Sequence, residues 1–249
     1  MHLLIIPYLP IFVLLSFIAE VLGTVGGFGS SVFFVPIANY FIDFQSVLGI
    51  TALFHLASNV SKIYLFRAKI DKKLIINLGI PAIAFVIIGA VLTKYLERKY
   101  LEIGLAIFLI LFSSFLLIKK QFAFDANKKN SIIGGSISGF AAGMLGTGGA
   151  IRGITMAAFN LEKNVFIATS AIIDLGIDFS RTVVYFFNGY IHKEDLYLVP
   201  ILVVVGFTGS WVGKIIINKI SQDYFRNIVL VFIAIIGGAT LTKALSDLF

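Results

Sequence analysis

His55, Asn59 and Lys62 recur as Asp174, Asp178 and Arg181, each pair 119 residues apart in a chain of 249. Within each set the spacing is four residues, then three. That spacing puts all three side chains on one helical face. Thr51 and Ser170 extend each stripe by one turn at the same offset. Glu20 and Arg152 are two more ionisable residues inside apolar segments. Of 20 Lys and Arg, only Lys62, Arg152 and Arg181 fall outside the polar segments. A charge at the centre of a bilayer costs at least ~2.5–3.5 kcal/mol, so such groups face the protein interior and find partners. Three cations of this kind suit a bound anion. Asp174 and Asp178 lie one turn apart and repel when both are ionised, which makes one of them a candidate carrier of a coupled proton.

Two glycine clusters share the 119-residue offset. One is Gly23-Thr24-Val25-Gly26-Gly27-Phe28-Gly29-Ser30-Ser31, followed by an apolar run to Pro36. The other is Gly143-Met144-Leu145-Gly146-Thr147-Gly148-Gly149-Ala150. Successive glycines are poor helix material, so each cluster is expected to break a membrane helix. Unwound backbone at membrane depth persists only where protein buries it or a cavity borders it. Paired breaks of this kind point to a transport site between repeats. Their free N–H groups and the helix N-termini that follow suit an oxyanion.

The candidate binding residues are therefore Gly27, Gly29, Ser30, Ser31, His55, Asn59, Lys62, Gly146, Thr147, Gly148, Gly149, Arg152 and Arg181. The candidate proton-coupling residues are Glu20, Asp174 and Asp178. Arg152 is the most suggestive single residue, because a cation beside a helix N-terminus is unfavourable unless an anion joins them. Structural readings stand beside these. Lys62 and Arg181 could snorkel towards helix ends. Asp178 and Arg181 could form a purely structural pair. His55 could be a satisfied core histidine, and Glu20 could cap the first glycine turn by accepting backbone N–H bonds. Gly135, Gly139 and Gly143, like Gly209 and Gly213, have the spacing that lets membrane helices approach closely.

The elements that position these residues are apolar helices. Hydrophobic residues make up 59% of the chain and charged residues 13%. Leu74–Thr93 is 20 residues without a charge, and Val21–Ile42 carries none over 22. A spanning helix needs roughly 20 apolar residues. The expected class is all-α: a multi-pass protein of the cell membrane, lying in a lipid bilayer. Solid apolar runs argue against a β-barrel. The net charge of +7 reads as membrane topology and not as nucleic-acid binding. The chain has no cysteine and three scattered histidines, so no metal site and no cofactor are expected.

The expected helical segments are 5–22, 30–42, 46–66, 73–94 and 101–118, then 131–145, 150–160, 164–187, 195–214 and 226–243. The polar stretch 119–130 is expected to be a cytoplasmic linker between two transmembrane repeats, 1–118 and 131–249. If the first two segments of each half form one broken span, there are eight membrane segments. If they form a hairpin of two short helices, there are ten, and the second half is inverted. The inverted arrangement puts twelve of the loop Lys and Arg inside and five outside, against ten and seven for the other. It therefore agrees better with the excess of cytoplasmic positive charge.

Gly27-Phe-Gly-Ser-Ser-Val-Phe-Phe-Val-Pro36 resembles the first repeat motif of the TauE/SafE family of sulfite and organosulfur-anion exporters. Gly146-Thr-Gly-Gly-Ala150 is similar to the second. Ala68-Lys-Ile-Asp71 and Gly189-Tyr-Ile-His192 resemble the family's short polar turn before the next span. The resemblance covers nearly the whole chain. It implies an integral membrane transporter that moves sulfite, sulfonates or related sulfur oxyanions outward. Ser30 and Ser31 replace two glycines of the first motif, Thr155 stands where the second would carry Pro, and Arg152 enters an apolar stretch. The expected function is a secondary transporter of a small sulfur anion, with a second copy of the chain as a candidate partner. A carrier or channel for another small anion is the alternative. An intramembrane enzyme is remote, because no Ser-His-Asp or His-x-x-x-His spacing occurs.

The topology is open to a direct test. In this cysteine-free chain, a cysteine placed in the Asn188–Asp195 loop is expected to react with impermeant thiol reagents added outside. Labelling only from the cytoplasmic side overturns the inverted arrangement.

Overall fold

The structure, a computed structural model, describes residues 6–27, 29–119, 125–217, 219 and 222–246, with backbone alone for 6 and 222–229. Phe28 of the first glycine cluster, Ile5 of the first expected segment and residues 120–124 of the midpoint stretch lie outside the described residues. So does the side chain of Arg226.

Among the described residues there are ten helices of eight residues or more and no strand. They are α1 (Leu9–Gly26), α2 (Ser31–Ala38), α3 (Phe44–Phe66), α4 (Lys72–Tyr95) and α5 (Arg98–Ile118). The second half holds α6 (Lys128–Leu145), α7 (Gly149–Ala157), α8 (Lys163–Phe187), α9 (Leu198–Ile217) and α10 (Gln222–Ser246). Both α1 and α6, and likewise α3 and α8, start 119 residues apart.

The boundaries follow local chemistry. Helix α1 runs to Gly26, four residues past the expected end, and stops where Gly27 takes a φ of +69°. Helix α6 stops in the same way at Gly146, with φ +75°. Left-handed backbone of this kind favours glycine at a helix C-terminus. Asp43 opens α3 by accepting from the N–H groups of Gln45 and Ser46 at 3.1 and 3.0 Å. Asn127 opens α6 by accepting from Asn130 at 2.8 Å. Such caps satisfy donors that the first helical turn leaves open. The expected segment 30–42 shortens to α2, because residues 39–42 fold into turns. The expected segment 150–160 ends at Ala157, and 195–214 shifts to Leu198–Ile217.

Among the described residues, four helices are long and apolar enough to cross a membrane: α1, α4, α5 and α9. Helices α3 and α8, of 23 and 25 residues, are long enough but carry the buried polar stripes. Helices α2 and α7 have only eight and nine residues. At 1.5 Å per residue they reach less than half of a ~30 Å hydrocarbon core.

The largest helix contacts join the two halves, and they come in exchanged pairs. Helix α1 packs on α9, and α6 packs on α4; α3 packs on α8, and α5 packs on α10. Glycine makes two of these contacts close. Gly135, Gly139 and Gly143 press α6 against the backbone of α4, and a Cβ on Gly139 would lie 2.0 Å from the Ala82 carbonyl oxygen. Gly209 and Gly213 let α9 sit against Glu20 and Thr24 of α1. The close-packing reading of these glycines is therefore the one the structure supports. Around them, Phe12, Phe34, Leu48 and Phe54 form a core with no exposed surface.

Gly139→Ala is expected to lower the melting temperature of the detergent-solubilised protein, since overpacking costs about 1–3 kcal/mol. An unchanged melting curve would show that α4 and α6 can separate freely.

Candidate functional site

The two glycine turns meet in the interior. Gly29, Ser30 and Ser31 from one, and Gly146, Gly148 and Gly149 from the other, line a small polar cavity. Both polar stripes face it, through His55, Asn59 and Lys62 of α3 and Asp174, Asp178 and Arg181 of α8. Arg152 enters from the first turn of α7. Ser31 Oγ donates to Thr147 Oγ1 at 3.2 Å and ties one turn to the other. A methyl on Gly29 would sit 3.7 Å from Gly149 Cα and 3.8 Å from the Arg152 guanidinium, so the turns and the cation share one small space. A second small cavity adjoins the first. The two share Gly29, Asn59, Lys62, Arg152 and Asp174 as walls.

Each cation in this space has its own carboxylate. Lys62 Nζ lies 2.8 Å from Glu20 Oε1. Arg181 reaches Asp178 Oδ1 through Nε at 2.8 Å and through a terminal nitrogen at 2.7 Å. Arg152 pairs with Asp174. With His55 neutral, the six charges cancel. The space between the turns is thus not positive on balance, because α1 supplies Glu20 and α8 supplies both aspartates. A low-dielectric interior demands this, since an unpaired buried charge is strongly destabilising. It also separates Asp174 from Asp178, each drawn to a different guanidinium.

Comparison with known proteins gives this geometry a context. Residues 12–240 match the family model described as "Sulfite exporter TauE/SafE". The chain belongs to the TauE/SafE family. It is 26% identical to a Methanocaldococcus jannaschii protein described as a probable membrane transporter protein, over 92% of this chain and 94% of that one. No solved structure matches. This TauE/SafE protein is therefore a multi-pass membrane protein of a transporter family.

Most residues singled out in the TauE/SafE sequence border the cavity, and a few do not. Gly27 lines only the adjoining cavity. Thr147 is fully buried and holds Ser31 instead of facing the space. Glu20 lies behind Lys62, and among the described residues no backbone N–H of the glycine turn donates to it. Its Oε1 accepts from Ser58, Ser210 and Thr24 at 2.6, 2.8 and 3.3 Å, and its Oε2 from Ser30 at 2.6 Å. Lys62 does not snorkel but ends on this carboxylate. Arg181 also donates to the carbonyl oxygens of Gly146 and Ala142 at 2.8 and 3.3 Å, where Tyr185 joins it by donating to Gly143. It thereby caps the negative end of the α6 dipole. Ser58, Ser210 and Tyr185 were not legible as members of this network. A hydroxyl next to Gly209 in α9 was the available hint for Ser210, since that glycine lets α9 approach Glu20.

Ser30 Oγ lies 3.1 Å from His55 Nε2, a contact that in another setting would suggest a nucleophile and its base. The neighbours rule that out here. Arg181 can only donate, and it faces His55 Nδ1 at 3.4 Å. Nδ1 must then accept, so the ring proton sits on Nε2 and points to Ser30. The Ser30 hydroxyl in turn donates to Glu20. All three bonds run one way, from Arg181 through His55 and Ser30 to Glu20, and the imidazole has no lone pair free for Ser30.

One group outside the cavity has metal-ligating residue types. Asp43, His192 and Asp195 bring one ligand atom each within 4.8 Å of one another. Asp43 is already spent on capping α3, and His192 Nδ1 lies 2.7 Å from Ser46 Oγ. Burial alone would raise the Asp43 carboxyl. The hydrogen bonds from Ser46 and the nearby Arg98 and His192 outweigh it and hold the group below the usual carboxylate range.

Glu20→Gln removes the counter-ion of Lys62 and leaves that ammonium buried. It is expected to destabilise the folded protein by about 3 kcal/mol, read as a lower melting temperature in detergent. A melting temperature equal to that of the parent would mean that Lys62 finds another partner.

Proposed function

We propose that this chain is a secondary carrier that exports a small sulfur oxyanion such as sulfite or a sulfonate. The observation that carries the reading is the cavity bordered by both glycine turns and by Lys62, Arg152 and Arg181. The amides of Gly149 and Ala150 precede the first intrahelical bonds of α7, which run from Ile151 and Arg152 to Gly148. Such leading amides are not used within the helix and suit an oxyanion. Ser30, Ser31, His55 and Asn59 supply polar groups that orient it. The family description of sulfite export supports the substrate class.

In this reading 1–118 and 131–249 are two inverted repeats joined by a cytoplasmic linker at 119–130. The helix pairs α1–α2 and α6–α7 are hairpins bent at their glycines. The matched starts of α1 and α6, the exchanged packing partners and the distribution of Lys and Arg support that arrangement. Inverted repeats around a fixed site provide for alternating access by rocking one bundle against the other. A buried carboxylate among Glu20, Asp174 and Asp178 carries a coupled proton in this scheme. A second copy of the chain is a candidate partner in the bilayer.

The test is uptake by purified protein in liposomes, offered sulfite, thiosulfate, sulfoacetate and sulfate. Accumulation of at least one sulfur anion, accelerated by anion on the far side, is expected. No accumulation of any of them sinks the substrate class, and flux without such exchange indicates a channel. Arg152→Ala is expected to cut transport at least tenfold while the protein still inserts, as removing one partner of a buried ion contact costs 2 kcal/mol or more on the order of magnitude known for interfaces. Normal transport by that variant would mean the site lies elsewhere.

A further inference from the structure

We propose that Asp174 is a displaceable counter-ion: an incoming oxyanion takes its place on Arg152, and the freed carboxylate binds one proton, so that anion and proton cross together. This rests on the carrier reading above. It selects one carboxylate among three and states what moves.

The three carboxylates are held very differently. Glu20 is fully buried and accepts from Lys62 and four hydroxyls. Asp178 accepts from two nitrogens of Arg181 and from Asn59 at 2.7 Å. Asp174 accepts from Arg152 and from no other side chain among the described residues. Its side chain is also 18% exposed, against 4% for Asp178. Of the three, it has least to lose by turning away.

Arg152 is built to stay. Its Nε donates to Ser170 Oγ at 3.1 Å, and its own backbone N–H is bonded to Gly148 in the first turn of α7. When Asp174 leaves, the guanidinium keeps its aim and presents an open face to the cavity that Gly149 also lines. The pair also lies in the wall common to the two cavities. Turning Asp174 out therefore makes room for the anion where the cavities meet.

Charge balance supplies the proton. Facing Asp174 are Lys62 and the neutral His55 from α3, Arg152 from α7, and Asp178 and Arg181 from its own helix. Glu20 of α1 acts through Lys62. Helices α4 and α6 also pack on α8 but bring no charged group to either cavity. The set is neutral before the anion arrives. A monoanion added alone would leave one negative charge unmatched in a poorly solvated space. In the step proposed, the pair Arg152⁺···Asp174⁻ becomes Arg152⁺ with the anion and a neutral Asp174 carboxylic acid. The proton comes from water on the side from which the anion enters, and the sum stays zero.

Methanesulfonate has no group that titrates near neutrality, so every proton counted with it belongs to the protein. With the full chain in liposomes, one proton is expected to move with each methanesulfonate, at a rate indifferent to an imposed membrane potential. With the detergent-solubilised chain, binding is expected to weaken about tenfold per pH unit on the alkaline side, the slope for one linked proton. Asp174→Asn should abolish both the proton movement and that slope, and Asp174→Glu should restore them. The proposal fails if the parent protein moves methanesulfonate down a membrane potential without protons, or if Asp174→Asn keeps the slope. If the parent binds and moves neither methanesulfonate nor sulfite, the carrier reading itself fails, and this inference falls with it.

Discussion

The structure depends on how a membrane protein keeps six charges out of water. A buried charge without a partner is untenable, and one with a partner fixes where that partner must be. Lys62 of α3 ends on Glu20 of α1, Arg152 of α7 on Asp174 of α8, and Arg181 on Asp178 within α8. These three pairs lie around one cavity and draw four helices to it. The hydroxyls of Ser30, Ser58 and Ser210 then fill the remaining lone pairs of Glu20 and add α9 to the set. Charge-assisted bonds of this kind are stronger than neutral ones. The positions of both glycine turns follow from where these pairs can form.

Such geometry is reachable only because the backbones come close. Side chains of ordinary size on α6 would hold α4 away, and with it the whole second layer. Glycine at 135, 139 and 143 removes that obstacle, as glycine at 209 and 213 does for α1 and α9. In a bilayer the association of helices relies on packing and hydrogen bonds, since lipid is as apolar as the helix surface. The glycine stripes supply the first and the Glu20 network the second.

Much of this could be read before the structure was known, and the boundary of what could be read is physical. The stripes at 55, 59, 62 and 174, 178, 181 were legible because helical spacing is local and the offset repeats. The glycine breaks were legible because no regular helix tolerates such a run. The pairing was not. Asp174 and Arg152 are 22 residues apart and meet only after α7 folds back on α8. Ser210 reaches Glu20 across 190 residues, and no periodicity carries that information. Thr147 looked like a ligand by its place in the motif, yet a one-residue change of direction in a turn decides whether a side chain faces the cavity or the neighbouring turn.

Glu20 has further consequences. The 119-residue offset that carries His55 to Asp174 carries Glu20 to Gly139, and there the space is taken by the Ala82 carbonyl. The same offset carries Phe33 to Arg152. The halves have thus divided the work. Two copies of the first would double the Glu20–Lys62 pair and possess no Arg152. Two copies of the second would have neither the acid of α1 nor the imidazole of α3. Neither half can stand in for the other. The cavity is walled by residues of both halves that have no equivalents in each other.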